Sequence, residues 1–171
     1  MPGKRPLADE LEIRAPRFVA LLARAVGRLP GPLRARVLEA AFERARAAFN
    51  RGDMEAVFAL FSEDVEYGPP PPLHDGPPIR GRQAVFDLWR EVRERLDTNA
   101  IENLSVNEAT PRRIVRHARL SHHSSATGET LDYTIVQTTE LERGRVVRQV
   151  NELAGIAPRD PRDHGAPRAY F

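Results

Sequence analysis

"AFNRGDMEAVFALFSEDVEY", residues 48–67, decides the fold, and it raises a question because Arg51-Gly52-Asp53 spells an adhesion tripeptide. Ala48 and Phe49 close an apolar stripe that runs through Val37, Leu38, Ala41, Phe42 and Ala45 at helical spacing. Gly52 can take the left-handed conformation that ends such a helix. Asp53 can cap a short second helix whose inward positions are Val57, Leu60 and Phe61. Residues 64–68 then read as a short strand. A helix stop followed by a helix cap accounts for the tripeptide without any receptor.

Upstream, residues 17–29 place Phe18, Leu21, Leu22, Ala25, Val26 and Leu29 at helical spacing, with Pro16 suited to the first turn. Arg17, Arg24 and Arg28 lie opposite. The break "LPGPL" separates this helix from one starting near Leu33, so residues 1–32 read as an N-terminal extension. Its stripe and arginines would suit an anionic membrane surface. Packing on the domain is the commoner fate of an amphipathic helix, so membrane contact is not expected.

Downstream, "PPPPLHDGPPIRG" (residues 69–81) predicts a stiff, extended crossing. A helix follows Gly81, with Val85, Leu88, Trp89, Val92 and Leu96 on one face. Alternation then predicts strands over 100–109, 113–125, 130–142 and 145–153. "ATG" and "ERG" supply the turns between the last three. Residues 155–171, rich in proline and arginine, read as a surface tail.

The chain has 171 residues and no cysteine, enough for one core without disulfide or thiolate metal staples. No apolar run approaches the ~20 residues that cross a bilayer, and no secretory leader is seen, so a cytoplasmic protein is expected. Lys4 is the only lysine, and 26 basic residues face 24 acidic ones. The arginines are dispersed rather than clustered with aromatics, which argues against nucleic-acid binding.

"AFNRGDMEAVFALFSEDVEY", "GRQAVFDLW" (81–89) and "ERGRVVRQVNEL" (142–153) resemble the nuclear transport factor 2-like superfamily, SnoaL-like branch. The resemblance covers about residues 33–154. It implies an α+β fold in which a cone-shaped, curved antiparallel sheet wraps around helices, with an apolar cavity and usually a homodimer. No cofactor is implied. Enzymes of this superfamily carry acid–base groups that are missing here. The ketosteroid-isomerase positions resemble Pro69, Ala45 and Gln137. The limonene-epoxide-hydrolase positions resemble Ala118, Leu120 and Asn151. The polyketide-cyclase aspartate falls in a stretch holding Glu152 and Ala154.

Strand parity selects the cavity wall. Ile114, Arg116, Ala118, Leu120, His122 and Ser124 form the more apolar face of their strand. By register, Tyr133, Ile135, Gln137 and Thr139 join them, then Val147, Gln149, Asn151 and Leu153, with Tyr67 and Trp89 completing the wall. His122 is the candidate catalytic residue, because histidine exchanges protons near neutrality. Tyr67, Trp89, Leu120, Tyr133, Gln137, Gln149 and Asn151 are candidate ligand contacts. His74 and Asp75 are a candidate lid, although Asp75-Gly76 also suits an ordinary bend. "SHHSS" is not expected to hold a metal, since His122 and His123 must point to opposite faces.

Two functions remain open from sequence. One is binding of a small, mostly apolar molecule. The other is a cofactor-independent isomerase, lyase or cyclase acting on a hydrophobic carbonyl compound through His122.

Overall fold

The computed structural model describes residues 6–71, 73–74 and 76–156. Helices α1 (Leu7–Arg14), α2 (Pro16–Val26), α3 (Gly31–Arg51) and α4 (Met54–Val57) lead into strand β1 (Phe61–Gly68). Strand β2 (Ile79–Arg80) and helix α5 (Arg82–Arg95) follow. The chain then runs through β3 (Thr98–Ala109), β4 (Arg113–Ser124), β5 (Glu129–Glu142) and β6 (Arg145–Ile156). The strands form one sheet in the order β2-β1-β6-β5-β4-β3.

The junction at 51–53 is built as its residues dictate. Gly52 ends α3 at φ 80°, in the left-handed region. The Asp53 side chain accepts the Ala56 N–H and caps α4. Arg51 reaches back to α1, its Nη2 2.6 Å from Asp9 Oδ2, while Arg44 Nε lies 3.7 Å from Oδ1. Asp9 is only 2% exposed. A buried carboxylate needs such partners, so all three residues of the tripeptide hold the fold together.

Helix α4 is shorter than its stripe suggests, and Phe61 belongs to β1 rather than to the helix. Helix α1 has no counterpart in the sequence reading. The proline-rich loop turns instead of crossing. Leu73 and His74 N–H groups bond the Pro70 carbonyl, and β2 returns antiparallel to β1.

The sheet is mixed, not wholly antiparallel. β1 runs parallel to β6, while every other neighbouring pair is antiparallel. Short turns force antiparallel pairing in β3–β6, but β1 and β6 are joined by no turn that fixes their relative direction.

The core lies between the sheet and helices α3–α5, where Phe49, Phe58, Val65, Val85, Trp89 and Ile135 are buried. β3 is an edge strand, and α3 covers part of it. Asn50 Oδ1 accepts the Ile101 N–H at 2.9 Å and Nδ2 donates to the Ile101 carbonyl at 3.4 Å. One side chain thus satisfies edge groups as another strand would.

Helix α2 packs on the domain at the strand turns. A Cβ added to Gly27 would lie 3.0 Å from Pro111 in the β3–β4 turn. One added to Gly144, in the β5–β6 turn, would lie 2.1 Å from the Ala20 carbonyl oxygen. Gly144 also has φ 78°. Gly144→Ala is therefore expected to cost about 1–3 kcal/mol through strain and displacement of α2. Thermal unfolding tests this; an unchanged Tm would mean that α2 is not seated there.

Candidate functional site

A cavity of about 1540 Å³ opens between the concave face of the sheet, α3 and α2. Its apolar wall includes Phe42, Phe49, Leu120, Ile135, Val146 and Pro70. Val19, Leu22 and Val26 of α2 also line it. The N-terminal extension is therefore part of the cavity rather than an appendage.

A row of polar side chains crosses the sheet, one from each of four adjacent strands. Asn103 on β3 accepts from Arg116 Nη1 on β4. Arg116 Nε donates to Gln137 Oε1 on β5 at 2.6 Å. Gln137 Nε2 donates to Asn151 Oδ1 on β6 at 2.8 Å, and Asn151 Nδ2 donates to the Gly68 carbonyl on β1 at 2.7 Å. The direction of this chain is fixed from both ends. A carbonyl can only accept and a guanidinium can only donate, so each amide is oriented with its oxygen toward Arg116.

Arg116 is 8% exposed. Its guanidinium carbon sits 4.7 Å from the Phe42 ring centroid, a cation–π contact. Burial lowers its pKa to about 10, which the neighbouring Tyr67 and Glu43 partly oppose, so it remains charged at neutral pH. Its hydrogen-bond acceptors are neutral amides, and among the described residues Nη2 is bonded to no protein group. Glu43 lies one residue removed, accepting from Asn103 Nδ2 at 2.9 Å and paired with Arg46. Desolvating a cation costs several kcal/mol unless partners compensate it.

Tyr67 is buried beside this row. Its hydroxyl accepts from Trp89 Nε1 at 3.1 Å. Burial raises its pKa and keeps it neutral, although the bonds from Trp89 and Asn151 pull the other way. Tyr67, Trp89, Leu120, Gln137, Gln149 and Asn151 all line the cavity. Leu153, of the same parity, is 41% exposed.

His122 and Tyr133 share the inward face but are not among the residues lining the cavity. Both are buried and bonded to each other, with Nε2 of His122 2.9 Å from the Tyr133 hydroxyl. Nδ1 lies 2.6 Å from Asn99 Oδ1. Asn99 Nδ2 donates to the Leu96 carbonyl, so Oδ1 must accept and Nδ1 must carry the proton. Nε2 is then left to accept the tyrosine proton. His74 Nε2 contacts the Pro77 carbonyl at 3.2 Å, away from the cavity lining, and Asp75 lies outside the described residues, as do residues 157–171 of the tail. Among the described residues no three His, Asp or Glu side chains group to hold a metal.

Arg116 is the residue that sequence reasoning placed on the wall without assigning it a role. Its signal was a charge at inward parity between Ile114 and Ala118.

The sequence model of the SnoaL-like domain matches residues 42–149, more than half of the chain, and the protein belongs to that family. No curated protein matches it. Among solved structures it is similar to an NTF2-like protein of unknown function from Burkholderia pseudomallei (TM-score 0.56, 21% identity, 64% of this chain and 84% of that one). It is also similar to IdmH, a putative polyketide cyclase from Streptomyces antibioticus (TM-score 0.53, 18% identity, 64% and 86%). TerC, crystallised with polyporic acid, is similar over 80% of this chain and 90% of its own (TM-score 0.53, 18% identity). These likenesses establish the α+β cone fold.

Burial holds the His122 pKa down to about 4, against a smaller opposing pull from Asp132. Between that value and the ordinary 6.5, the unfolded chain binds a proton that the folded chain refuses. Stability is therefore full above about pH 6.5 and falls on acidification, by on the order of 3 kcal/mol at pH 4. Tm measured from pH 7 to 4.5 should drop steeply in the parent protein and less steeply in His122→Gln. Equal slopes would remove His122 as the cause.

Proposed function

We propose that this protein binds a small, mostly apolar molecule in the cavity beneath α2. The observation that carries this reading is an apolar chamber of about 1540 Å³ with a single oriented polar row on its wall. Ligand sites have this character: apolar area supplies affinity, and a few fixed polar groups set orientation. Leu120, Ile135 and Trp89 would hold the skeleton, while Gln137, Asn151 and Arg116 would meet its oxygen atoms.

Binding is favoured over turnover because the lining supplies donors and lacks a free base. Asp9 and Glu140 are committed to arginines, Glu142 is exposed, and Tyr67 is held neutral. His122 has both ring nitrogens engaged outside the lining. Proton transfer needs a group within hydrogen-bond reach of the reacting atom.

Trp89 is the only tryptophan and lines the cavity, so its fluorescence reports occupancy. Titration with naphthalene-sized apolar compounds should change its emission saturably. Ala45→Phe, which narrows the chamber from α3, should weaken binding by about tenfold while leaving the fold intact by thermal melting. Unaltered affinity in that variant would move the ligand out of the cavity.

A further inference from the structure

We infer that the ligand carries an ionised acidic oxygen, a carboxylate or an acidic enolate, and that Arg116 receives it through Nη2. This rests on the cavity-binding reading above and names the chemical class that the site selects. Nε donates to Gln137 and Nη1 to Asn103, whereas Nη2 has no protein acceptor among the described residues. It is not an orphaned buried atom either, since Arg34 Nε alone has that status among the described residues. Nη2 is thus left open toward the chamber that Arg116 lines.

The geometry is preorganised. Gln137 holds Nε, Asn103 holds Nη1, and Phe42 supports the plane from one side. Little side-chain freedom is left to lose when an anion arrives. Among the described residues no carboxylate is ion-paired with the guanidinium, so its charge is solvated mainly by neutral amides and a ring face. A neutral carbonyl would accept a hydrogen bond and leave that charge uncompensated. An ionised oxygen would form a charge-assisted bond and neutralise it in a poorly solvated place.

The remainder of the lining points the same way. Ten arginines line the cavity and its mouth, against three carboxylates, Asp9, Glu140 and Glu142. Arg46 and Arg113 are paired with Glu43 and Glu108 just outside the lining, which leaves a smaller but still positive excess around the opening. Arg28, Arg36, Arg112 and Arg143 are placed along it with the α2 residues and the strand turns. Such a lining raises the local concentration of anions and speeds their entry at low salt.

The test uses two matched probe pairs on the full chain: 2-naphthoate with its methyl ester, and 2-hydroxy-1,4-naphthoquinone with its methyl ether. Each pair keeps the skeleton and removes the ionised oxygen. Wild-type protein should prefer the ionised member of at least one pair by about tenfold or more, and that preference should shrink as salt rises. Preference within the first pair alone assigns a carboxylate; preference within the second alone assigns an enolate. Arg116→Met, its fold checked by thermal melting, should erase the preference, the ionised member losing at least about tenfold more affinity than the neutral one. Arg116→Lys, which keeps the charge but not the fork, should retain part of it. Equal binding of ionised and neutral members by the wild type overturns the inference and leaves the cavity reading standing, with no variant required. A preference that survives in Arg116→Met also overturns it. If no probe binds the wild type, the cavity reading itself falls and takes the inference with it.

Discussion

The buried charge of Arg116 is the constraint around which the concave face is arranged. A guanidinium cannot escape burial by losing its proton, even with its pKa lowered to about 10. The fold must solvate it, and does so with one residue per strand across β3, β5 and β6, ending on the Gly68 carbonyl of β1. That row ties strand register to a charge. Slipping β5 by one residue would turn Gln137 outward and leave Arg116 Nε and Asn151 Oδ1 without their partner. Register here is specified twice, by apolar alternation and by the polar chain. The second device also explains why Asn103, Gln137 and Asn151 stand in line on the concave face.

The other end of the molecule uses a similar economy. Asp9 is a buried carboxylate that exists because Arg51 and Arg44 reach it from α3. It fixes α1, and α1 leads directly into α2, which is seated against the Gly144 turn and roofs the cavity. The residue that spells the start of an adhesion signal therefore anchors the segment that lines the cavity from outside the sheet. Sequence resemblance alone would have assigned Arg51 to a partner; its geometry assigns it to the fold.

Much of this architecture was legible because it is written in local chemistry. A left-handed glycine, a capping aspartate and hairpin turns act over a few residues, so Gly52, Asp53 and the β4–β6 hairpins could be read directly. The parallel pairing of β1 with β6 could not, because no short connection fixes the relative direction of strands so far apart in sequence. Helix α1 escaped for a related reason: its docking depends on a contact between Asp9 and Arg51, 42 positions apart. For the wall, parity placed Tyr67, Leu120, Gln137, Gln149 and Asn151 facing inward. Parity says which face a residue shares and nothing about how deep along the strand the cavity reaches. His122 has the right parity but lies beyond Leu120, bonded to Asn99, and Tyr133, opposite Leu120 in register, commits its hydroxyl to His122. Arg116 had the right parity and was passed over because a charge on a wall reads first as an exception to the apolar pattern.

Those two positions define the chemistry that the chamber can offer. His122, the group able to exchange a proton near neutrality, has its Nδ1–H and Nε2 lone pair both committed, and burial keeps it neutral. Arg116, which cannot exchange a proton, lines the cavity with Nη2 bonded to no described protein group. An enzyme that generates an enolate needs a base to make the charge and a donor to hold it. Here the donor is built and rigid, while the lining carboxylates are ion-paired or at the exposed rim. On the reading proposed above, such a chamber would discriminate by ionisation state and favour molecules that arrive already charged.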